Sequence, residues 1–298
     1  MNSFTVLLYC DVESNVERMT ALAGKVAARM AARSHSSWAT ESSSHEPRKG
    51  LLIGTHATPL TVLYSGVSDA IDGGLALQQA ESEHARTHRM RARFEHVAEE
   101  AGVDAEWHPL VDGDRGDSAS LRERARSADL VIMPQPAEPG GDRFVEFAIR
   151  DVVTHAGRPV LVVPRVGKFT DIGSKLLIGW SPTREATRAV HDALLIAHPS
   201  ARATLLWISH GSDPHGELEE SAETMAAVIM RHGIECKVAR STKAEIAIGD
   251  VLLNESFERG ADLLVTGGFG HSRIYDIVVG ATTSHLLAHM TVPVLFAH

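Results

Sequence analysis

The sequence predicts an α/β fold built twice in one chain, and three observations carry that prediction. Short apolar runs of strand length alternate with helical periodicities of three and four along most of the 298 residues. The series then starts again. Ser127-Ala-Asp129-Leu-Val-Ile matches Gly260-Ala-Asp262-Leu-Leu-Val at a separation of 133, and His155-x-x-x-Pro159-Val-Leu matches His289-x-x-x-Pro293-Val-Leu at 134. Strands that each lead into a helix require a parallel sheet covered on both faces, because only a crossover of helical length returns the chain alongside the previous strand. Finally, Asp262-Leu-Leu-Val-Thr-Gly267-Gly-Phe-Gly270 reads as a buried strand running into a glycine turn. In open α/β sheets that is where ligands bind.

In the first half, Thr5–Cys10 is a continuous apolar run suited to a strand buried on both faces, and Asp11 ends it. Val16, Met19, Ala23 and Val26 then recur at helical spacing. Between about 34 and 56 the pattern dissolves into a serine-rich insertion expected only to connect. Pro59–Tyr64 is read as the second strand, followed by a helix from near Leu75 to Glu100. Its Arg86, His88, Arg89, Arg91 and Arg93 are balanced by Glu81, Glu83, Glu95, Glu99 and Glu100, which predicts a solvated face rather than a binding patch. Val103–Leu110 is a third strand, Ser120-x-x-Glu123 reads as the capping box of a short helix, and Asp129–Met133 is a fourth strand. A helix over 143–156 and a fifth strand at Pro159–Val163 complete the first series.

The second series runs through strands at Lys175–Ile178, Ala203–Ile208, Ile234–Ala239 and Asp262–Thr266. Helices are predicted at Thr183–Ala197, at Glu217–Arg231, and from a Thr242-x-x-Glu245 capping box to about Arg259. A further helix starts near Gly280, and the apolar run Pro293–Ala297 closes the chain.

Composition narrows the class. With 44% apolar and 22% charged residues the chain reads as a soluble globular protein, and no apolar run approaches the 18 or so residues a membrane span needs. Met-Asn-Ser-Phe-Thr at the N-terminus lacks the basic region of a signal peptide, so a cytoplasmic location is expected. Cys10 and Cys236 lie in strand-like segments of different halves and are expected as free thiols. A formal charge of −9 argues against nucleic acid or an anionic membrane as the main partner.

The glycine turn carries the chemistry. Gly267 and Gly270 lack a Cβ, so backbone there can approach a ligand, and a helix starting near Gly280 would aim free N–H groups into the same crevice. Together these suit an anion, most often a phosphate. A tight turn with Thr282 or Thr283 as a plain helix cap would look the same in sequence.

Gly267-x-x-Gly270-x9-Gly280 followed by small hydroxyl residues, with Val292-Pro293-Val294-Leu295 closing the chain, resembles the nucleotide-binding signature of tandem universal stress proteins. The resemblance is specific over about the last 40 residues. It implies two open parallel five-stranded sheets, strand order 3-2-1-4-5, packed as a pseudo-twofold pair through their fifth strands. It also implies a first domain over 1–166 and a second over 173–298. ATP or another adenine nucleotide would be the ligand, contacted by Gly267, Gly270, His271, Arg273, Gly280, Thr282, Thr283 and Ser181.

Two positions depart from the family. Ala281 stands directly after the third glycine, where the family has Ser or Thr. Ser181 takes the place of the acidic residue that ends the family's first strand. In the first half Asp11 keeps that acid, but Pro134, Pro136 or Ala137, and Glu146 replace the glycines. A carboxylate at a helix N-terminus would repel phosphate, so the first half is expected not to bind a triphosphate.

Other patterns are weaker. Trp180 could stack on a base or belong to the core. His285 and His289 have metal-ligand spacing without a third ligand, so no metal is expected. No catalytic triad context and no GxxxxGK[ST] loop occurs, and Asp276 is the only acid near the glycine turn. The resemblance therefore implies a nucleotide-responsive module that acts through protein partners and is not an enzyme. A scaffold that has lost nucleotide is the alternative, and a slow ATP-hydrolysing or adenylate-forming enzyme the third reading. A homodimer beyond the internal pair is compatible with all three.

Overall fold

The computed structural model describes residues 4–36, 50–57, 73–110, 118–137, 144–209, 216–242, 246–269 and 281–298. They divide into two compact units, Met1–Pro134 and Gln135–His298.

Unit 1 runs β1 (Thr5–Tyr9), a 3-10 turn (Glu13–Asn15), α1 (Val16–Ser36), β2 (Leu51–Thr55), α2 (Gly73–Glu100), β3 (Asp104–Trp107), α3 (Ala119–Ala125) and β4 (Leu130–Pro134). Its strands lie in the order β3-β2-β1-β4, all parallel. Leu7, Leu8, Met19, Leu22, Leu52, Phe94 and Ile132 fill the core.

Two sequence expectations fail in this unit. The second strand is Leu51–Thr55, paired with β1 from Thr5↔Leu51 to Tyr9↔Thr55, and not part of the insertion. Its Gly54 runs against strand preference, since glycine weakens a strand. Here it is required, because a Cβ would lie 2.6 Å from Trp107 and 2.9 Å from Phe94. Pro59–Tyr64, read as the second strand, lies outside the described residues. The second failure is the capping box. Helix α3 starts at Ala119 behind Ser118, whose side chain makes no cap bond, so Ser120 and Glu123 sit inside the helix.

The arginines of α2 form ion pairs, as a solvated face should. Arg86 bonds Glu83, Arg91 bonds Glu95, and Arg89 and Arg93 both reach Glu13 across to the 3-10 turn. At the N-terminal edge of the sheet Asp129 ties down β1. Its Oδ2 accepts from the Thr5 N–H at 2.9 Å, and its own N–H donates to the Thr5 carbonyl at 2.8 Å.

Unit 2 holds α4 (Phe144–His155), β5 (Val160–Val163), β6 (Lys175–Trp180), α5 (Arg184–Ile196), β7 (Arg202–Ser209) and α6 (Glu217–Arg231). It continues with β8 (Glu235–Thr242), α7 (Ile248–Glu258), β9 (Leu263–Gly267), α8 (Ala281–His289) and β10 (Val294–Ala297). Its sheet runs β5-β10-β9-β6-β7-β8. The last five strands therefore take the order 3-2-1-4-5 within their own repeat. Strand β5 pairs antiparallel with β10, with Leu161 opposite Leu295. These two residues are equivalent by the 134-residue repeat, so a local twofold runs through the strand pair. That pairing covers the exposed edge β10 would otherwise present.

Asp262 is to β6 what Asp129 is to β1. Its carboxylate accepts the N–H groups of Gly173, Ser174 and Lys175 at 2.8–3.1 Å. The proposed capping box at Thr242 does not form. Thr242 ends β8, Glu245 lies outside the described residues, and α7 starts at Ile248 behind Ala247. Cys10 and Cys236 are both free. Among the described residues no helix is long and apolar enough to cross a membrane.

Candidate functional site

The crevice of unit 2 follows from its topology. Neighbouring parallel strands β6 and β9 part company at their C-terminal ends, β6 leading toward β7 on one side and β9 toward β10 on the other. That divergence opens the sheet at the end of β9, where the glycine turn begins.

On the β6 side, Ser181 is exposed, and its carbonyl accepts the Thr183 N–H at 2.7 Å. Thr183 caps α5, its Oγ1 accepting the Ala186 N–H at 3.2 Å. On the β9 side, the bare backbone at Gly267 is used by α5. A Cβ there would lie 2.8 Å from the Ala186 nitrogen and 2.9 Å from Glu185 Cβ, so the first turn of α5 already occupies that space.

Glu185 puts a carboxylate beside the turn. Burial pushes its carboxyl up, but its own backbone N–H, Arg184 and His298 together outweigh burial and hold it below the ordinary glutamate value. It is therefore ionised at neutral pH. Arg184 donates to Glu185 at 3.2 Å and to His298 Nε2 at 3.3 Å. Because a guanidinium can only donate, Nε2 is the acceptor and His298 carries its proton on Nδ1, which donates to the Gly268 carbonyl at 3.0 Å.

Phe269 is the strained point. Its φ of 54° is left-handed, a region that costs a non-glycine residue about 1–2 kcal/mol. Three contacts hold it there. The ring is buried, the N–H donates to the buried Thr283 Oγ1 at 3.3 Å, and the Arg150 guanidinium lies 4.8 Å over the ring. Thr283 thus joins the turn to α8, and Thr282 beside it is half-buried. Gly270, His271, Arg273 and Gly280 lie outside the described residues, as does Asp276.

An open groove of about 620 Å³ lies nearby, and none of the described glycine-turn residues lines it. It is bounded by Trp180, Thr183, Arg184 and Thr187 on one wall and by Glu217, Glu220 and Ser221 on the other. The Trp180 indole is 8% exposed and donates from Nε1 to Ser221 Oγ at 3.3 Å, so it belongs to the core. His285 turns its Nε2 to Asp250 Oδ1 at 2.7 Å, bracing α8 on α7, with the His289 ring 4.6 Å away. No metal-ligand cluster occurs among the described residues.

In unit 1 the corresponding positions are built for other work. Pro134 stands where Gly267 stands, and Asp11 Oδ1 accepts the neighbouring Val12 N–H at 2.8 Å. His56 is buried beside the end of β1, with Nδ1 bonded to the Cys10 carbonyl at 2.6 Å and no described partner on Nε2. Burial lowers its pKa, only partly offset by the Cys10 bond. The Cys10 thiol is pushed far up, by burial and then by Asp11, and stays protonated.

Residues 174–298 match the universal stress protein family. The matched stretch contains Ser181, the glycine turn and α8. Among solved structures, a universal stress protein from Archaeoglobus fulgidus DSM 4304 is 16% identical, with 100% of this chain and 99% of that one covered at a TM-score of 0.63. A Pseudomonas aeruginosa UCBPP-PA14 protein named as a candidate universal stress protein is 12% identical, covering 99% and 93% at a TM-score of 0.50. These identities establish the shared fold. A universal stress protein solved in complex with cAMP is 25% identical over 42% of this chain and 96% of that one, with a TM-score of 0.32. No curated protein matches the chain significantly.

Glu185, His298 and Arg150 are the neighbours of the turn that the sequence did not signal. Glu185 reads as an ordinary first-turn acid of a helix, His298 as a terminal residue, and Arg150 belongs to the first repeat. Only the fold brings them to β9.

Proposed function

We propose that this is a stress-response protein that binds ATP or another adenine nucleotide through residues 173–298 and acts as a regulatory, partner-binding module rather than an enzyme. One observation carries the reading. The stretch that matches the universal stress protein family contains the Gly267-x-x-Gly270-x9-Gly280 spacing. The bond from the Phe269 N–H to Thr283 supports it, since it draws α8 against the turn in which phosphates would lie. Phosphate contacts are assigned to Gly267, Gly270, Gly280, Thr282 and Thr283, with His271 and Arg273 in the connector and Ser181 toward the adenosine end. Residues 1–166 would form the first domain of the same type, with a degenerate nucleotide motif. The protein acts in the cytoplasm, without nucleic acid or membrane as partner.

A second reading is favoured by a specific observation. The space at Gly267 is filled by α5, and the Glu185 carboxylate stands beside it, ionised. Both would suit a scaffold that has lost nucleotide and works through protein contacts. An ATP-hydrolysing or adenylate-forming activity would need an acid near Gly267, either Asp276 or the Glu185 carboxylate beside that glycine, and would show as turnover abolished by Asp276→Asn or Glu185→Gln. Denaturing the purified full chain and measuring released nucleotide by mass spectrometry separates the first two readings. Adenine nucleotide near one equivalent supports binding. Its absence, together with no heat on titration with ATP or ADP, supports the scaffold.

A further inference from the structure

We infer that Arg150 is the cation that meets the phosphate end of the nucleotide in unit 2, so that a residue of the first sequence repeat completes a site built from the second. The inference rests on the nucleotide reading above. Arg150 lies on α4 and is equivalent, by the 134-residue repeat, to Ser284 on α8. Across the local twofold of the β5–β10 pair the two meet, Arg150 Nη2 donating to Ser284 Oγ at 3.4 Å.

The guanidinium carbon lies 4.8 Å over the ring of Phe269, directly before Gly270 and bonded through its N–H to Thr283. A cation–π contact positions a guanidinium without using its N–H donors. Of the five N–H donors, the described bond uses one. No carboxylate among the described residues pairs with Arg150, whereas Arg184, another described arginine beside the turn, is engaged by Glu185 and His298. A guanidinium next to a glycine turn, with no carboxylate partner among the described residues, suits a phosphate, whose oxygens match its planar fork.

A purely mechanical role, bracing Phe269 in its left-handed conformation, makes a different prediction. It would affect every ligand of the turn equally. Calorimetric titration of the full chain with ATP and with adenosine, for the wild type, Arg150→Ala and Arg150→Lys, separates the two roles. Thermal melts of each variant check that it is folded. Arg150→Ala should weaken ATP about tenfold or more and leave adenosine within about twofold, with Arg150→Lys in between. The ATP affinity of the wild type should also fall more steeply with salt than that of Arg150→Ala. Equal weakening of both ligands, or of neither, overturns the assignment while leaving nucleotide binding intact. A wild type that binds neither ligand removes the nucleotide reading itself, and the role of Arg150 with it.

Discussion

The two repeats agree at one end of their strands and diverge at the other. At the N-terminal ends, Asp129 and Asp262 do the same work, each accepting backbone N–H groups at the start of its repeat's first strand. At the C-terminal ends the backbone is still shared. The Gln135 N–H donates to the Val163 carbonyl and the Gly268 N–H to the Ala297 carbonyl, both at 2.8 Å. The side chains then part. Gln135 sends its amide Nε2–H to the Leu287 carbonyl at 2.9 Å, capping the end of α8, and its Oε1 accepts the Arg165 N–H. Gly268 has no side chain, and its carbonyl is read by His298. Fold-determining contacts thus persist in both copies, while the end of the sheet open to ligands has become a helix cap in one and a glycine turn in the other.

The largest expected effect tests whether that divergence is functional. Gly270→Val places a branched side chain in the proposed contact region. Loss of two charge-assisted hydrogen bonds, at about 1.5–3 kcal/mol each, would weaken nucleotide binding by roughly two to four orders of magnitude. Asp11→Ala, in the other repeat, should leave affinity unchanged. Calorimetry that showed the reverse pattern would move the site to the first half.

Asp262→Ala probes the shared end. It strands three backbone N–H groups at the start of β6, partly open to water, and should cost about 2–4 kcal/mol in urea denaturation. Asp262→Asn, which keeps an acceptor, should recover part of that. A loss below about 0.5 kcal/mol would mean that the repeated aspartate does not hold the strand.

Gly267→Ala asks how the glycine is used. Its Cβ would sit 2.8 Å from backbone nitrogen of α5, so a destabilisation of about 1–3 kcal/mol is expected even without ligand. An unchanged melting temperature with lost nucleotide binding would show instead that the glycine serves the ligand alone.

The smallest effect belongs to unit 1. Burial keeps His56 neutral in the fold, so the unfolded chain takes up its proton more readily. Its contribution is present above the unfolded value of about 6.5 and is lost as pH falls below it, at no more than about 1.4 kcal/mol per pH unit. Between pH 7 and 5.5 the wild type should lose stability that His56→Gln retains. Parallel pH profiles would show that His56 is not the group responsible.

The sequence alone determined the α/β class, the repeat and most elements, because these follow from period and punctuation along the chain. Helix Glu217–Arg231 is where its apolar spacing placed it, and β9 ends in the glycine turn as expected. It misplaced β2, taking Leu51–Thr55 into the serine-rich insertion, and only the pairing with β1 and the packing of Trp107 and Phe94 against Gly54 reveal the strand. The capping boxes at Ser120 and Thr242 failed for the same reason. A cap depends on where the helix starts, and packing set those starts elsewhere. The site divides likewise. Glycine spacing is written in the chain, but the filling of Gly267 by α5, the ionised Glu185 and the arrival of Arg150 over Phe269 required strands and helices from distant parts of the sequence to meet. Only the tertiary structure brings those charges together.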